Sequence, residues 1–280
     1  MRLEASEMTV QVRHWWRRRG RLCVICLVAA GGWSAGAGEA AGQPVPSEHV
    51  VGRFDVGWRP NARQFARTRV FTQLSEQGSF LTDYEIPSGF TIDGGVSALV
   101  WRNLAVGVDL STFGAVHAAR ISAELPHPLF FDLPRVATGV AGGLERRDGA
   151  VHLRAIWKMR IASWVSLSLS GGPSVINVRQ DLVSAVTHSE VGFPFDRIES
   201  LGHTVSRRSA TTLGTNAAIE FETFVLHELP GLNGHPTLER LGLGVQVRYV
   251  WASATMQLDD DPLTVDLSGF QLTIGPRFRF

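Results

Sequence analysis

Phe270-Gln271-Leu272-Thr273-Ile274-Gly275-Pro276-Arg277-Phe278-Arg279-Phe280 closes the chain, and every second side chain in it is apolar. Phe270, Leu272, Ile274, Pro276, Phe278 and Phe280 share one face, while Gln271, Thr273, Gly275, Arg277 and Arg279 share the other. A period of two is the mark of a β-strand with two different environments. Pro276 has no N–H to give to a ladder, so a local irregularity is expected there.

The same alternation recurs upstream. Leu241, Leu243, Val245, Val247, Tyr249 and Trp251 alternate with Gly242, Gly244, Gln246 and Arg248. Val165, Leu167 and Leu169 alternate with serines, and Val151 to Ile161 alternates with His152, Arg154, Lys158 and Arg160. Leu104, Val106, Val108 and Leu110 alternate with Gly107, Asp109 and Ser111. Phe90, Ile92 and Val96 alternate with Asp93, Gly95 and Ser97. Leu213 to Phe221 carries Glu220 and continues to Glu222, and Phe54, Val56 and Trp58 alternate with Arg53 and Asp55. No segment after residue 48 keeps a helical period. About eight strands result, the smallest usual number for a closed membrane barrel.

The polar face decides which side meets water. It carries glycine and serine rather than the lysine, glutamate and threonine of a solvated sheet, which suits the cramped interior of a small barrel. Its charges have both signs: Asp93, Asp109, Glu220 and Glu222 stand against Arg154, Lys158, Arg248, Arg277 and Arg279. Buried charges persist only when paired, so a mixed set predicts a filled polar lumen. The apolar face is then outward, and Trp58, Trp164, Tyr249 and Trp251 near strand ends read as an aromatic girdle. In lipid only closure satisfies every backbone group. The expected fold is all-β, a closed antiparallel transmembrane barrel. Short connections at 101–103 and 162–163 oppose long ones at 60–88, 112–149 and 179–207, predicting turns on one side and long loops on the other, with both termini on the turn side.

The N-terminus reads as an export signal. Arginines 13, 17, 18, 19 and 21 precede an apolar run from Leu22 to Ala30 and small residues to Ala41. The run is too short to span a membrane. The expected organisation is a signal peptide over 1–37 (cleavage as late as 41), a linker over 38–48 and a barrel over 49–280. Cys23 and Cys26 fall inside the discarded segment, so neither a redox pair nor disulfides are expected in the mature chain. A near-neutral balance of 27 Lys+Arg and 26 Asp+Glu excludes a strongly basic nucleic-acid binder.

Candidate chemistry is sparse. His227-Glu228 and His235 lack the spacing of a zinc-protease helix and sit among Pro230, Gly231 and Gly234, as a turn would. Thr187-His188-Ser189-Glu190 holds nucleophile, base and acid types, but a triad is assembled in space rather than from neighbours. Asp259-Asp260-Asp261 lacks the spaced ligands of a calcium loop. His127 and the exposed-looking Leu129-Phe130-Phe131 read either as a docking patch or as a lid across the barrel mouth, and packing across the mouth is the expectation. No catalytic residue, metal or cofactor is expected.

The terminal stretch, with Phe270, Leu272, Ile274, Phe278 and Phe280, resembles the assembly signal of bacterial outer-membrane barrels. Residues 49–280 resemble the small OmpA-like and OmpX-like barrel family, in Gly89–Val108 ("VWRNLAVGV"), His127–Phe131 and Gly171–Val183 ("GGPSVINVRQDLV"). The resemblance implies an outer-membrane location, contact with outer-membrane lipid, and recognition of Phe278 and Phe280 by the barrel-assembly machinery. It carries fold more than activity. Three roles remain open: an anchor for surface-exposed interaction segments, a narrow channel, or a lipid-modifying enzyme.

Overall fold

The computed structural model describes residues 50–280 except 61, 163, 225–239 and 258–261. The export signal, both cysteines, His227, Glu228, His235 and Asp259–Asp261 lie outside the described residues. Twelve strands occur in what is described: β1 (Val50–Arg59), β2 (Arg63–Gln73), β3 (Glu76–Ile86), β4 (Gly89–Trp101), β5 (Leu104–Leu125), β6 (Arg135–Ala162), β7 (Val165–Glu190), β8 (Ile198–Thr223), β9 (Leu241–Trp251), β10 (Ser253–Met256), β11 (Leu263–Asp266) and β12 (Gly269–Arg279).

Eight of them close a ring in the order β1-β4-β5-β6-β7-β8-β9-β12, and β12 pairs back onto β1. Every pairing is antiparallel. The stretches that read as strands are the strands of this ring. At Pro276 the expected irregularity falls on the β1 side. Pairing runs from Arg53↔Arg277 to Val56↔Ile274 and skips Phe54 and Asp55, while the β9 ladder continues through Pro276↔Leu243. Gly275 sits in that gap, where a Cβ would come within 1.9 Å of the Phe54 carbonyl oxygen. Only glycine tolerates so close a strand.

The three long loops expected from the sequence are mostly strand. β5 through β8 run 22, 28, 26 and 26 residues, well past the 9–11 that cross a bilayer. Residues 63–86 form a further hairpin, β2–β3, which joins the upper half of β5 through Ser79↔Glu124 to Glu85↔Ala118. β6 and β7 separate above Arg146↔Gln180, while β5–β6 and β7–β8 continue to their tips. The sheet β2-β3-β5-β6 then faces the β7–β8 hairpin. Val183 N donates to the Tyr84 hydroxyl at 2.9 Å, and the Arg69 guanidinium donates to the Ser184 carbonyl. The β10–β11 hairpin lies beside β8, with Thr212 Oγ1 donating to Ser253 O at 2.7 Å.

The physical reason the long strands were not legible as strands is an exchange of faces. Along β5 the outward residues Val106, Val108 and Leu110 are apolar and the inward Asp109 and Ser111 polar, up to Ser111. From Phe113 onward the inward residues are apolar apart from His117 (Phe113, Ala119, Ile121, Ala123, Leu125), and outward stand Arg120 and Glu124. β7 changes in the same way, from inward Ser166, Ser168 and Ser174 to inward Ile176, Val178 and Leu182. The lower ring is therefore built for lipid outside and the upper sandwich for water outside. A buried apolar cluster that includes Phe80, Tyr84, Ile121, Leu144, Leu182 and Met256 fills the sandwich.

Candidate functional site

The ring interior is the first candidate site. Asp109 on β5 accepts from Arg53 Nε and Arg154 Nη2 at 3.0 Å each, and from Arg248 Nη2 at 2.8 Å. Asp93 on β4 accepts from Arg53 Nη2 at 2.8 Å, Arg248 Nη1 at 2.6 Å and Gln271 Nε2 at 3.1 Å. Below them Arg277 bridges Asp55 at 2.6 Å and Glu220 at 2.7 Å. The side chains of Arg53, Arg154, Arg248 and Arg277 are at most 4% exposed, as are those of Asp55, Asp93, Asp109 and Glu220. Four guanidinium groups and four carboxylates thus close a network across the ring, each arginine fork matched by planar acceptors.

Glycines make room for these side chains. A Cβ at Gly244 would strike the Arg277 guanidinium at 2.4 Å, and one at Gly95 would strike Asp109 Oδ1 at 2.1 Å. Above the charges His152 is held between Ser111 Oγ (3.0 Å) and Ser174 Oγ (2.7 Å), and Asn216 donates to Ser174. Arg146 and Arg59 both bond Asp148, and above them the apolar core begins. From charge network to core, the interior is packed.

Of the expected lumen charges, Asp93, Asp109, Arg154, Glu220, Glu222, Arg248 and Arg277 are buried inward. Lys158 faces inward and meets Glu222 at 3.4 Å. Arg279 is half-buried over the Phe224 ring, 3.3 Å from its centroid. Arg160, which shares the polar parity of β6, is exposed at the turn-side end. Arg53 and Asp55, on the short alternation of Phe54, Val56 and Trp58, hold central places in the network.

The outside carries the aromatic side chains expected to form a girdle. Trp58, Trp251 and Phe270 are exposed toward the sandwich, and Tyr249 packs between Trp251 and Phe270 at 4.5 and 4.6 Å. Trp164, Phe278 and Phe280 are exposed at the turn side, as are Trp101 and Trp157. Leu272 and Ile274 face outward between the two belts.

The far tip is the second candidate. The expected packing of residues 125–134 over the barrel mouth is not what the structure shows. Leu129, Phe130, Phe131 and Leu133 are each at least half exposed, and Phe193 on the neighbouring tip is 82% exposed. What packs is the polar support beneath. His127 Nδ1 accepts from the Leu129 and Phe130 amides, and its Nε2 lies 3.4 Å from Asp196. Arg135 donates to Phe195 O, Pro126 O and Glu190. Within Thr187–Glu190, His188 contacts Glu190 while Ser189 turns to the opposite face and bonds Ser200, so no triad forms.

His117 projects into the sandwich 6.3 Å from the Tyr84 ring, with neither ring nitrogen hydrogen-bonded. Burial lowers its pKa, and the Arg146 charge on β6 adds to the effect against Asp181 on β7. The fold therefore favours the neutral imidazole, whereas an unfolded chain protonates near pH ~6.5. The resulting stability is present above that pH and lost as acid is added. Acidification from about pH 7.5 to 5 should make the sandwich more protease-sensitive, and His117→Phe should flatten that dependence. An unchanged pH slope in the variant would refute the assignment.

No family model matches the sequence, and no curated protein matches it. Several solved structures are similar to the chain at low identity. Neisserial surface protein A is 12% identical, with a TM-score of 0.40, over 82% of this chain and 96% of that one. The outer membrane protein OprG from Pseudomonas aeruginosa is 10% identical, with a TM-score of 0.43, over 83% and 96%. The outer membrane protease OmpT from Escherichia coli is 10% identical, with a TM-score of 0.33, over 83% and 94%. The class is defined by this chain's own geometry. A closed ring of eight antiparallel strands, with paired charges inside and an aromatic-bordered apolar belt outside, is the fold of the small outer-membrane β-barrels.

Proposed function

We propose that the protein is a plugged outer-membrane anchor that displays a rigid β-sandwich, tipped with apolar side chains, for interaction outside the cell. The observation that carries this reading is the closed network of Arg53, Arg154, Arg248 and Arg277 with Asp55, Asp93, Asp109 and Glu220. An ion crossing the ring would have to break it, and the packed core lies beyond. The turn side, with both termini, is the periplasmic side in this reading, and the tip at Phe130, Phe131 and Phe193 is the part most distant from the membrane. Large exposed apolar side chains on a braced support are the usual property of a contact surface. Nothing in the arrangement favours an enzyme: the buried histidine His152 is enclosed by hydroxyl groups and closed to a substrate.

Planar-bilayer recording tests the plug. The refolded protein should add no steady conductance at moderate voltage. A stable ohmic step in each insertion would replace the anchor with the narrow channel.

A further inference from the structure

Three successive rows of outward side chains cross β5 to β8 where the ring gives way to the sandwich. The lowest row, Leu110, Val151, Val175 and Leu213, is apolar and exposed. Thr112, Gly149, Asn177 and Thr211 form the next, small and uncharged. In the third, Arg147 on β6 stands directly opposite Arg179 on β7, both exposed, one residue pair below the point where the two strands part. Like charges directly opposite each other in a ladder are destabilising. Arg147 meets Glu145 at 3.3 Å, but Glu145 is shared with Arg207 at 3.4 Å, and Asp181 is taken by Arg207 at 2.8 Å. Arg179 has no ion pair or hydrogen bond from its side chain to any described residue. We propose that Arg147 and Arg179 together bind the phosphate of a membrane lipid in the leaflet on the sandwich side, an inference that rests on the membrane placement of the ring.

Height along the strands places the pair at the headgroups. Four residues separate Arg147 from Val151 and Arg179 from Val175, about 13 Å along a strand and about 10 Å along the membrane normal at the usual tilt. Long basic side chains bend back over such a distance to put their charge at the lipid surface. An anion seated between the two guanidinium groups replaces one repulsion by two attractions, and the arginine fork matches phosphate oxygens bidentately. There is room for it. A Cβ at Gly149, or at Gly114 beside Arg147 on β5, would meet open space. Gly114, Ala115, Val116 and Glu145 border with Arg147 a surface hollow of about 200 Å³, the volume of roughly seven liquid waters and ample for one phosphate group. A lipid fits this order of rows better than a free ion does, because acyl chains hanging from the phosphate would lie along Leu110, Val151 and Val175.

Native mass spectrometry of the refolded protein, released from non-ionic micelles doped with phosphatidic acid or with phosphatidylcholine, provides the test. The parent should retain phosphatidic acid in preference to phosphatidylcholine by about fivefold (about 1 kcal/mol), and Arg147→Gln/Arg179→Gln should lose the preference. Both side chains are exposed, so the variant is expected to keep its heat-modifiable gel shift. Phosphatidic acid should also raise the temperature of that shift in the parent and leave it unmoved in the double variant. Arg120→Gln, on the outward face of the sandwich, should retain the lipid as the parent does. No preference in the parent, an equal preference in the double variant, or an equal loss in Arg120→Gln would overturn the proposal. So would complete displacement by inorganic phosphate at matched ionic strength, which would make a free anion the ligand. Failure to insert into bilayers would overturn the membrane placement as well, whereas insertion without selective retention would overturn the lipid site alone.

Discussion

Asp109→Ala should be the most damaging single change in the membrane ring. Asp109 accepts from Arg53, Arg154 and Arg248 at once, so its loss leaves three buried guanidinium groups short of an acceptor. Breaking a buried pair from one side costs about 3–5 kcal/mol, because the remaining charge is neither paired nor hydrated. Water admitted to the lumen would offset part of that, so a loss near the lower end is expected. Asp109→Asn keeps an acceptor oxygen without the charge and should fall between the two. Urea unfolding of the refolded barrel in micelles, read by the heat-modifiable gel shift, gives the comparison. Equal midpoints for the parent and Asp109→Ala would mean that the network contributes nothing to stability.

Leu182→Asp should have the second large effect, confined to the sandwich. Leu182 is fully buried on β7 within the apolar cluster, above the point where β6 and β7 part. A carboxylate there lies in apolar surroundings with Arg208, opposite Gln180 on the same face of the hairpin, and must compete for that cation, protonate, or open the sandwich. Truncating a buried leucine alone costs about 2–5 kcal/mol, and the added charge raises that. The sandwich strands should become protease-sensitive while the ring below keeps its gel shift, since the two regions are stabilised by different means. Loss of both together would show that they fold as one cooperative unit.

How much of this was legible depends on which environment a strand crosses. Val106 to Leu110 and Leu241 to Trp251 stand between lipid and a polar lumen, so their alternation is clean. Ile121, Leu125, Val178 and Leu182 obey the same period of two, but with apolar residues on the parity that was polar lower down. A pattern read as one continuous face breaks at that exchange, and the upper halves pass for loops. The β2–β3 hairpin is hidden for two reasons. Its inward face mixes Phe65 and Phe71 with Arg67 and Arg69, and its tight turn is Leu74-Ser75. Both of those residues take left-handed φ values (55° and 68°) without the Asn-Gly that usually signals such a turn. The lumen charges were legible because lipid forces them inward. Their pairing was not, because Asp55, Glu220 and Arg277 are brought together by ring closure from opposite ends of the chain. Of the two readings of Phe130-Phe131, the exposed patch holds rather than the expected packing, since nothing in the dipeptide tells that His127 and Arg135 turn inward to brace it.

In the proposed reading one set of strands serves two solvents, lipid below and water above, around an interior closed to both. Nitroxide scanning of β5 in bilayers, on a chain lacking Cys23 and Cys26, tests it directly. Labels at Val106, Val108 and Leu110 should be relaxed by oxygen dissolved in lipid and shielded from an aqueous nickel chelate. Labels at Ala118, Arg120 and Glu124 should show the reverse, and a label at Ser111 should be reached by neither. Nickel relaxation at Ser111, or oxygen dominance at Ala118 through Glu124, would contradict this arrangement.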